Sequence, residues 1–302
     1  MTVDARPRPA LAAPVAPVRS TRGRLRRALA TIGYHGTAAP LALLFLFPIV
    51  WAALNSIKPS SEANQSPPAV LPTTVSWENY EALGAAGAGV ARHLVNSLVV
   101  SGLTVVGTVV LAVLAGYGFA RFRFRGKNLV FLGIIAILMV PYATLLLPLY
   151  FVMARIGLAN SFVGLALVLI VFQLPFSVFI MRNSFESIPR ELEEAAWVDG
   201  CGTVRSFWYI AMPVVIPGVV TAALFAFLNS WNEFLAPLVF LSDGSKYTLP
   251  LMLVNLRSGA YGSIDWGALQ AGATVSIVPC LVLYLVLQRF YVSGLVSGAL
   301  RG

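Results

Sequence analysis

Charge is what this chain has least of: Asp, Glu, Lys and Arg make up 11% of its 302 residues, while apolar residues make up 58%. A water-soluble domain carries roughly 25% charged residues, so water is excluded as its main solvent. Cysteine occurs only as Cys201 and Cys280, without CxxC spacing, which excludes a disulfide framework and a thiolate metal site. Histidine occurs only as His35 and His93, too few for a histidine-built metal centre. No HExxH helix, aspartate pair or Ser–His pair falls within an apolar run, which argues against an intramembrane enzyme. Apart from Glu233 near the end of one run, ionisable residues are also missing from the runs, and a proton- or ion-driven transporter needs a relay of them. Acidic residues are outnumbered 12 to 21, for a net charge of +9. Such a balance raises nucleic acid as a partner. Yet the arginines crowd beside the apolar runs, where they orient membrane proteins. No nucleic-acid partner is expected.

What is present is a series of apolar runs near the roughly 20 residues that a helix needs to cross a bilayer. They fall at 37–54, 94–119, 129–152, 162–181, 214–234 and 268–290. The third contains Pro141 and Pro148 and reads as a single kinked span, because neighbouring helices can satisfy the carbonyls a proline frees. Residues 1–35 are rich in Arg, Pro and Ala without periodicity and read as a disordered basic tail. Residues 36–302 then form one all-α domain of six spans. Sixteen lysines and arginines fall on the side of the N-terminus against five on the other, which places both termini in the cytoplasm. On the outer side, 55–93 and 235–267 are long enough either to receive an external partner or to be plain solvated connections. The first of them contains Trp77-Glu78-Asn79-Tyr80.

The inner segment 182–212 is too structured for a linker. Pro189 suits a first helical position, where its missing N–H costs nothing. Glu191, Glu193 and Glu194 place negative charge at the positive helix end, and Gly200 is a natural stop in the left-handed conformation. Thr203 is placed to cap a second short helix running to Ile210, after which Pro213 opens the next span. The first helix, of about 11 residues and roughly 16 Å, carries Leu192, Ala195, Ala196 and Asp199 on one side, with Glu191 and Glu194 alongside. Such a short helix works as a knob in a partner's socket. Its alternative, a helix resting on lipid, is disfavoured by its acidic first turn, which anionic headgroups repel.

Glu194-Ala195-Ala196, three residues, Gly200, nine residues, Ile210, one residue, Met212-Pro213 resembles the EAA motif of ABC importer permeases, with Met212 as the only departure. Asn96-Ser97-Leu98, Gly116-Tyr117-Gly118-Phe119-Ala120-Arg121, Pro148-Leu149-Tyr150, Trp231-Asn232-Glu233-Phe234 and the ending from Gln288 resemble the MalG-like, carbohydrate-importing branch of that family. The resemblance covers about residues 36–302 and implies the type I (MetI-like) permease fold. It implies that Glu193, Glu194, Ala195, Ala196, Asp199, Gly200, Ile210 and Pro213 couple the chain to a cytoplasmic ATPase, which the C-terminal tail also contacts. The implied partners are a second homologous permease, two copies of the ATPase, an extracytoplasmic substrate-binding (lipo)protein and membrane lipid. No cofactor is expected on this chain. Gly126-Lys127 lacks the other glycine and the Ser or Thr of a P-loop, so ATP and magnesium fall to the partner ATPase.

Two faces are candidates for the substrate pathway. Ser97, Ser101, Thr104 and Thr108 recur on one face of the second span, as a polar route or as ordinary helix packing beside Gly107 and Gly116. In the fifth span Thr221, Phe225, Asn229 and Asn232 or Glu233 share a face. Amides and a carboxylate there suit sugar hydroxyls and an aromatic ring suits sugar C–H faces; Gln173 and Gln270 are weaker additions. A di- or oligosaccharide is the expected substrate, with a polyol or glycerol phosphate as the alternative. A non-transporting assembly protein is the alternative of another class.

Overall fold

The computed structural model describes the backbone of residues 21–67, 69–258 and 264–299, and the side chains of residues 31, 33–67, 69–258 and 264–288. It divides into two compact units, 1–51 and 52–302. In the first, α1 (Thr21–Ser56) begins well inside the expected tail and continues into the second unit. Between Pro17 and Pro40 the chain has no proline, and Leu25-Arg26-Arg27-Ala28-Leu29-Ala30 are strong helix formers. Residues 21–35 are therefore helical, and the remainder of the expected tail lies outside the described residues.

The second unit continues through α2 (Ser60–Ala63), α3 (Glu78–Ala85), α4 (Val90–Arg121), α5 (Lys127–Ala136), α6 (Tyr142–Arg155) and α7 (Phe162–Glu186). Then follow α8 (Arg190–Val198), α9 (Thr203–Ser206), α10 (Met212–Trp231), α11 (Leu235–Phe240), α12 (Leu249–Arg257) and α13 (Trp266–Ala299). No strand occurs among the described residues, as the all-α expectation required. Five helical stretches are long and apolar enough to cross a membrane: 33–56, 90–121, 162–186, 203–231 and 266–288.

The third expected span is not one kinked helix. It is α5 with a 3-10 turn to Met139, followed by α6, and the two parts meet at 106°. Pro141 cannot donate to the Ile137 carbonyl, and its ring drives the preceding residue out of the helical region. Val140 accordingly takes φ −80°, ψ 129°. The remaining prolines inside helices, such as Pro148 and Pro175, leave their helices unbroken.

α4 runs along α7 for most of its length, and α10 packs against both. Gly116 makes the first contact close, since a Cβ there would stand 2.5 Å from the Met181 Cβ. Ala112, Tyr117, Phe119, Met181, Phe185, Phe207 and Ala222 fill the space between the three helices. At one end, Arg121 of α4 meets Glu193 of α8 at 2.7 Å. At the other, Asn96 of α4 donates to the Ser245 and Tyr247 carbonyls, and the Asn160 N–H donates to the Phe240 carbonyl. The chain thus leaves Arg121 at the first end and arrives at Asn160 at the second. The broken α5–α6 pair therefore traverses the bundle and counts as a crossing.

Asn79 ties the second end together, with its Nδ2 facing the carbonyls of Asn55, Ser56 and Lys58 at 3.3, 3.1 and 2.7 Å. Buried Lys58 donates to Asn55 Oδ1 at 2.7 Å and to the Ala69 carbonyl. A Cβ on Gly267 would lie 2.1 Å from Asn79 Oδ1, so a side chain there would push the Asn79 amide out of its bonds. Of Trp77-Glu78-Asn79-Tyr80, Asn79 is thus structural and Trp77 remains exposed.

Candidate functional site

The projecting loop is built as helix, turn, helix, with three differences from expectation. Pro189 occupies the N-cap rather than the first turn, leaving α8 nine residues long. Gly200 has φ +80°, a left-handed conformation in which a Cβ is strained. Gly202, not Thr203, sits at the N-cap of α9, and no side chain caps that helix. From there the helix continues unbroken through a π turn, Phe207–Ala211, into α10. Pro213 does not open the span but lies inside it. Its missing N–H frees the Tyr209 carbonyl, which lies within the widened turn.

The side chains of α8 divide sharply. Glu194, Ala195, Asp199 and Gly200 are exposed, Ala196 and Ile210 are half-buried, and Pro213 is exposed. Val198 at the tip is 89% exposed, with Leu192 and Trp197 about half so. Glu193 does the opposite: at 2% exposure it points back into the bundle. It accepts from Arg121 Nε at 2.7 Å and from the Tyr117 hydroxyl at 3.2 Å. Among the residues expected to couple the chain to an ATPase, Glu193 alone is buried and bonded within its own chain, because the helical turn carries it opposite Glu191 and toward α4.

The second candidate region is a cavity of about 190 Å³ among α4, α6, α7 and α10, halfway along α7. Its polar lining is Thr104, Tyr142, Gln173, Asn229, Ser230 and Glu233, with Leu169, Phe172 and Ala226 between them. Asn229 Nδ2 donates to Gln173 Oε1 at 2.6 Å. Glu233 lies just beyond α10, and its Oε1 accepts from the N–H groups of Leu235 and Ala236 at 2.7 and 3.1 Å. Tyr142 and Phe172 meet edge to face, with centroids 4.5 Å apart. Carboxylate, amide, hydroxyl and ring surfaces converge here, and such a set hydrogen-bonds and stacks against polyhydroxylated solutes.

Of the residues expected on the pathway, Thr104, Asn229 and Glu233 are gathered here, together with Gln173. The others lie elsewhere. Ser97 is buried and accepts the Leu249 N–H at 2.7 Å, while Ser101 accepts from Ser230 at 3.2 Å. These two serve packing, because α10 and α12 cover that face of α4. Thr221 bonds back to the Pro217 carbonyl at 2.8 Å, and Phe225 rests edge-on against Phe176. Asn232 bonds back to the Leu228 carbonyl at 2.8 Å, and Gln270 is outside the cavity. Tyr142, Phe172 and Ser230 were not foreseen. Only Tyr142 had a signal, as the residue after the proline that ends α5.

Comparison with known proteins matches residues 108–295 to the family described as "Binding-protein-dependent transport system inner membrane component". The chain is 33% identical over 275 residues to the probable ABC transporter permease protein YurM of Bacillus subtilis (strain 168), covering 89% of this chain and 90% of that protein. It is 31% identical to the diacetylchitobiose uptake system permease protein DasC of Streptomyces coelicolor (strain ATCC BAA-471 / A3(2) / M145), over 88% of this chain and 95% of that one. Among solved structures it resembles a chain of a bacterial ABC transporter involved in the import of the acidic polysaccharide alginate. The TM-score is 0.70 at 23% identity, over 91% of this chain and all of that one.

Proposed function

Since this chain belongs to the binding-protein-dependent transport system inner membrane component family, we propose that it is the permease subunit through which an ATP-binding-cassette importer moves a carbohydrate, a di- or oligosaccharide, across the plasma membrane. Its fold is that of the type I importer permeases, and it is a multi-pass membrane protein rather than an enzyme. A sugar fits the mid-bundle cavity, where Gln173, Asn229 and Glu233 offer amide and carboxylate partners beside the ring of Tyr142. Sugar-transporting relatives such as the diacetylchitobiose permease support the same substrate class.

The observation that carries this reading is α8. A nine-residue helix with an apolar tip and an anchored base projects from a membrane bundle and exposes Glu194, Ala195 and Asp199. This is the surface on which an ATPase would dock, and we place it in the cytoplasm. The basic residues beside it support that side: Arg121, Arg123, Arg125, Lys127, Arg182, Arg190 and Arg205, against Lys58, Arg92, Arg155, Lys246 and Arg257 at the other end. Two ATPase copies, which hold ATP and magnesium, and a second permease complete the assembly. A binding protein delivers substrate to the opposite end. Closure of the ATPase pair draws the two projecting loops together and turns the cavity from one side to the other.

Reconstitution in proteoliposomes with an ATPase and binding protein tests this. ATP hydrolysis should rise with one member of a panel of di- and oligosaccharides. Stimulation by glycerol phosphate or a polyol alone would move the substrate class, and uptake with no ATPase present would defeat the importer reading.

A further inference from the structure

A helix that receives a push must hand it on, and α8 has attachments beyond its two chain connections. Those connections are the short Ser187-Ile188-Pro189 to α7 and the turn through Gly200 and Gly202 to α9. The polar contacts run elsewhere, to α4, which is more than 60 residues earlier in the chain. Arg121 Nε donates to Glu193 Oε1 at 2.7 Å, Arg121 Nη2 to the Ile188 carbonyl at 3.2 Å, and Arg190 Nη2 to the Ala120 carbonyl at 3.5 Å. The side chains of Arg121 and Glu193 are 9% and 3% exposed, so solvent screens the pair little.

The second oxygen of Glu193 is held by Tyr117 at 3.2 Å. The Tyr117 ring is itself wedged edge-on against Phe185 of α7, at 5.3 Å between centroids, and Phe207 of the π turn leading into α10, at 4.8 Å. One carboxylate on α8 is thus bonded to the end of α4, through a tyrosine whose ring touches the helices on either side of the loop. A buried ion pair adds little net stability compared with apolar packing of the same volume. Its distinctive property is directional: it holds two elements at one distance and angle.

Given the importer reading above, we propose that Arg121, Tyr117 and Glu193 form an internal strut that makes α8 and α4 move as one body. Nucleotide-driven displacement of the projecting loop then reaches the cavity through α4, whose Thr104 lines it. Arg121 and Tyr117 are positioning residues on this account, and Glu193 acts within the chain while its neighbour Glu194 faces outward.

The test uses the full complex in proteoliposomes, with Cys201 and Cys280 replaced by serine and spin labels at Val198→Cys and Leu114→Cys, both exposed positions on α8 and α4. In the parent chain the label-to-label distance should form a single population that stays unchanged between the nucleotide-free and ATP-bound states. With Arg121→Met a second population should appear on ATP binding, while ATP hydrolysis persists. Arg121→Lys, which retains the charge, should restore most of the single population. Should Arg121→Met fail to assemble, Tyr117→Phe, which keeps the ring packing, decides by the same broadening. An unchanged single population in the assembled variant overturns the strut, as does a parent chain whose α8 shifts relative to α4 on ATP binding. A parent chain that recruits no ATPase at all strikes the importer reading instead.

Discussion

The contact between α4 and α7 at Gly116 is the place where one methyl group should matter most. A Cβ there would meet the Met181 Cβ at 2.5 Å, with the Met181 carbonyl carbon and the Arg182 nitrogen both at 2.9 Å. None of these can swing aside, since they are backbone atoms or the first side-chain carbon. The helices would have to part by about 1 Å to regain ordinary carbon contact near 3.5–4.0 Å. Overpacking of this kind costs roughly 1–3 kcal/mol. Two residues away, a Cβ on Gly118 meets nothing within 4 Å. Both positions are interior to the same helix, so Gly→Ala brings each about the same gain in helix propensity, near 1 kcal/mol. Comparing Gly116→Ala with Gly118→Ala cancels that gain and leaves the steric cost alone. In unfolding titrations of the isolated chain in micelles, Gly118→Ala should equal or exceed the parent. Gly116→Ala should lie about 1–3 kcal/mol below Gly118→Ala. Equal midpoints for the two variants would refute the close approach and with it the described packing of α4 on α7.

Two further outcomes follow from the same geometry. Gly200→Ala must hold a Cβ at φ +80°, a strain of about 1–2 kcal/mol, whereas Gly202 has φ −74° and open space around it. Uptake in proteoliposomes should fall for Gly200→Ala and not for Gly202→Ala, with membrane insertion of both unchanged. Ser97→Ala strands the buried Leu249 N–H and should cost about 1–3 kcal/mol in unfolding titrations. It should leave sugar selectivity alone; a change in selectivity would return Ser97 to the pathway.

Legibility in the sequence followed the range of each interaction. Apolar run length, proline and glycine placement and the distribution of arginine are local properties. They determined the membrane setting, the all-α class, the number of crossings and the helix–turn–helix at 190–211, with Gly200 at its turn. Even the break at Pro141 was written in the residue type, though its 106° angle was not. What only the tertiary structure decided is which side chains face one another across helices. Glu193 and Glu194 are adjacent carboxylates with the same local signals, and one is buried against Arg121 while the other faces outward. Ser97 and Thr104 share a stripe, yet α12 covers the first and a cavity opens beside the second. A helix face is set by periodicity within about 100° of arc, but its neighbour is set by packing among elements tens of residues apart, and no local pattern records that choice.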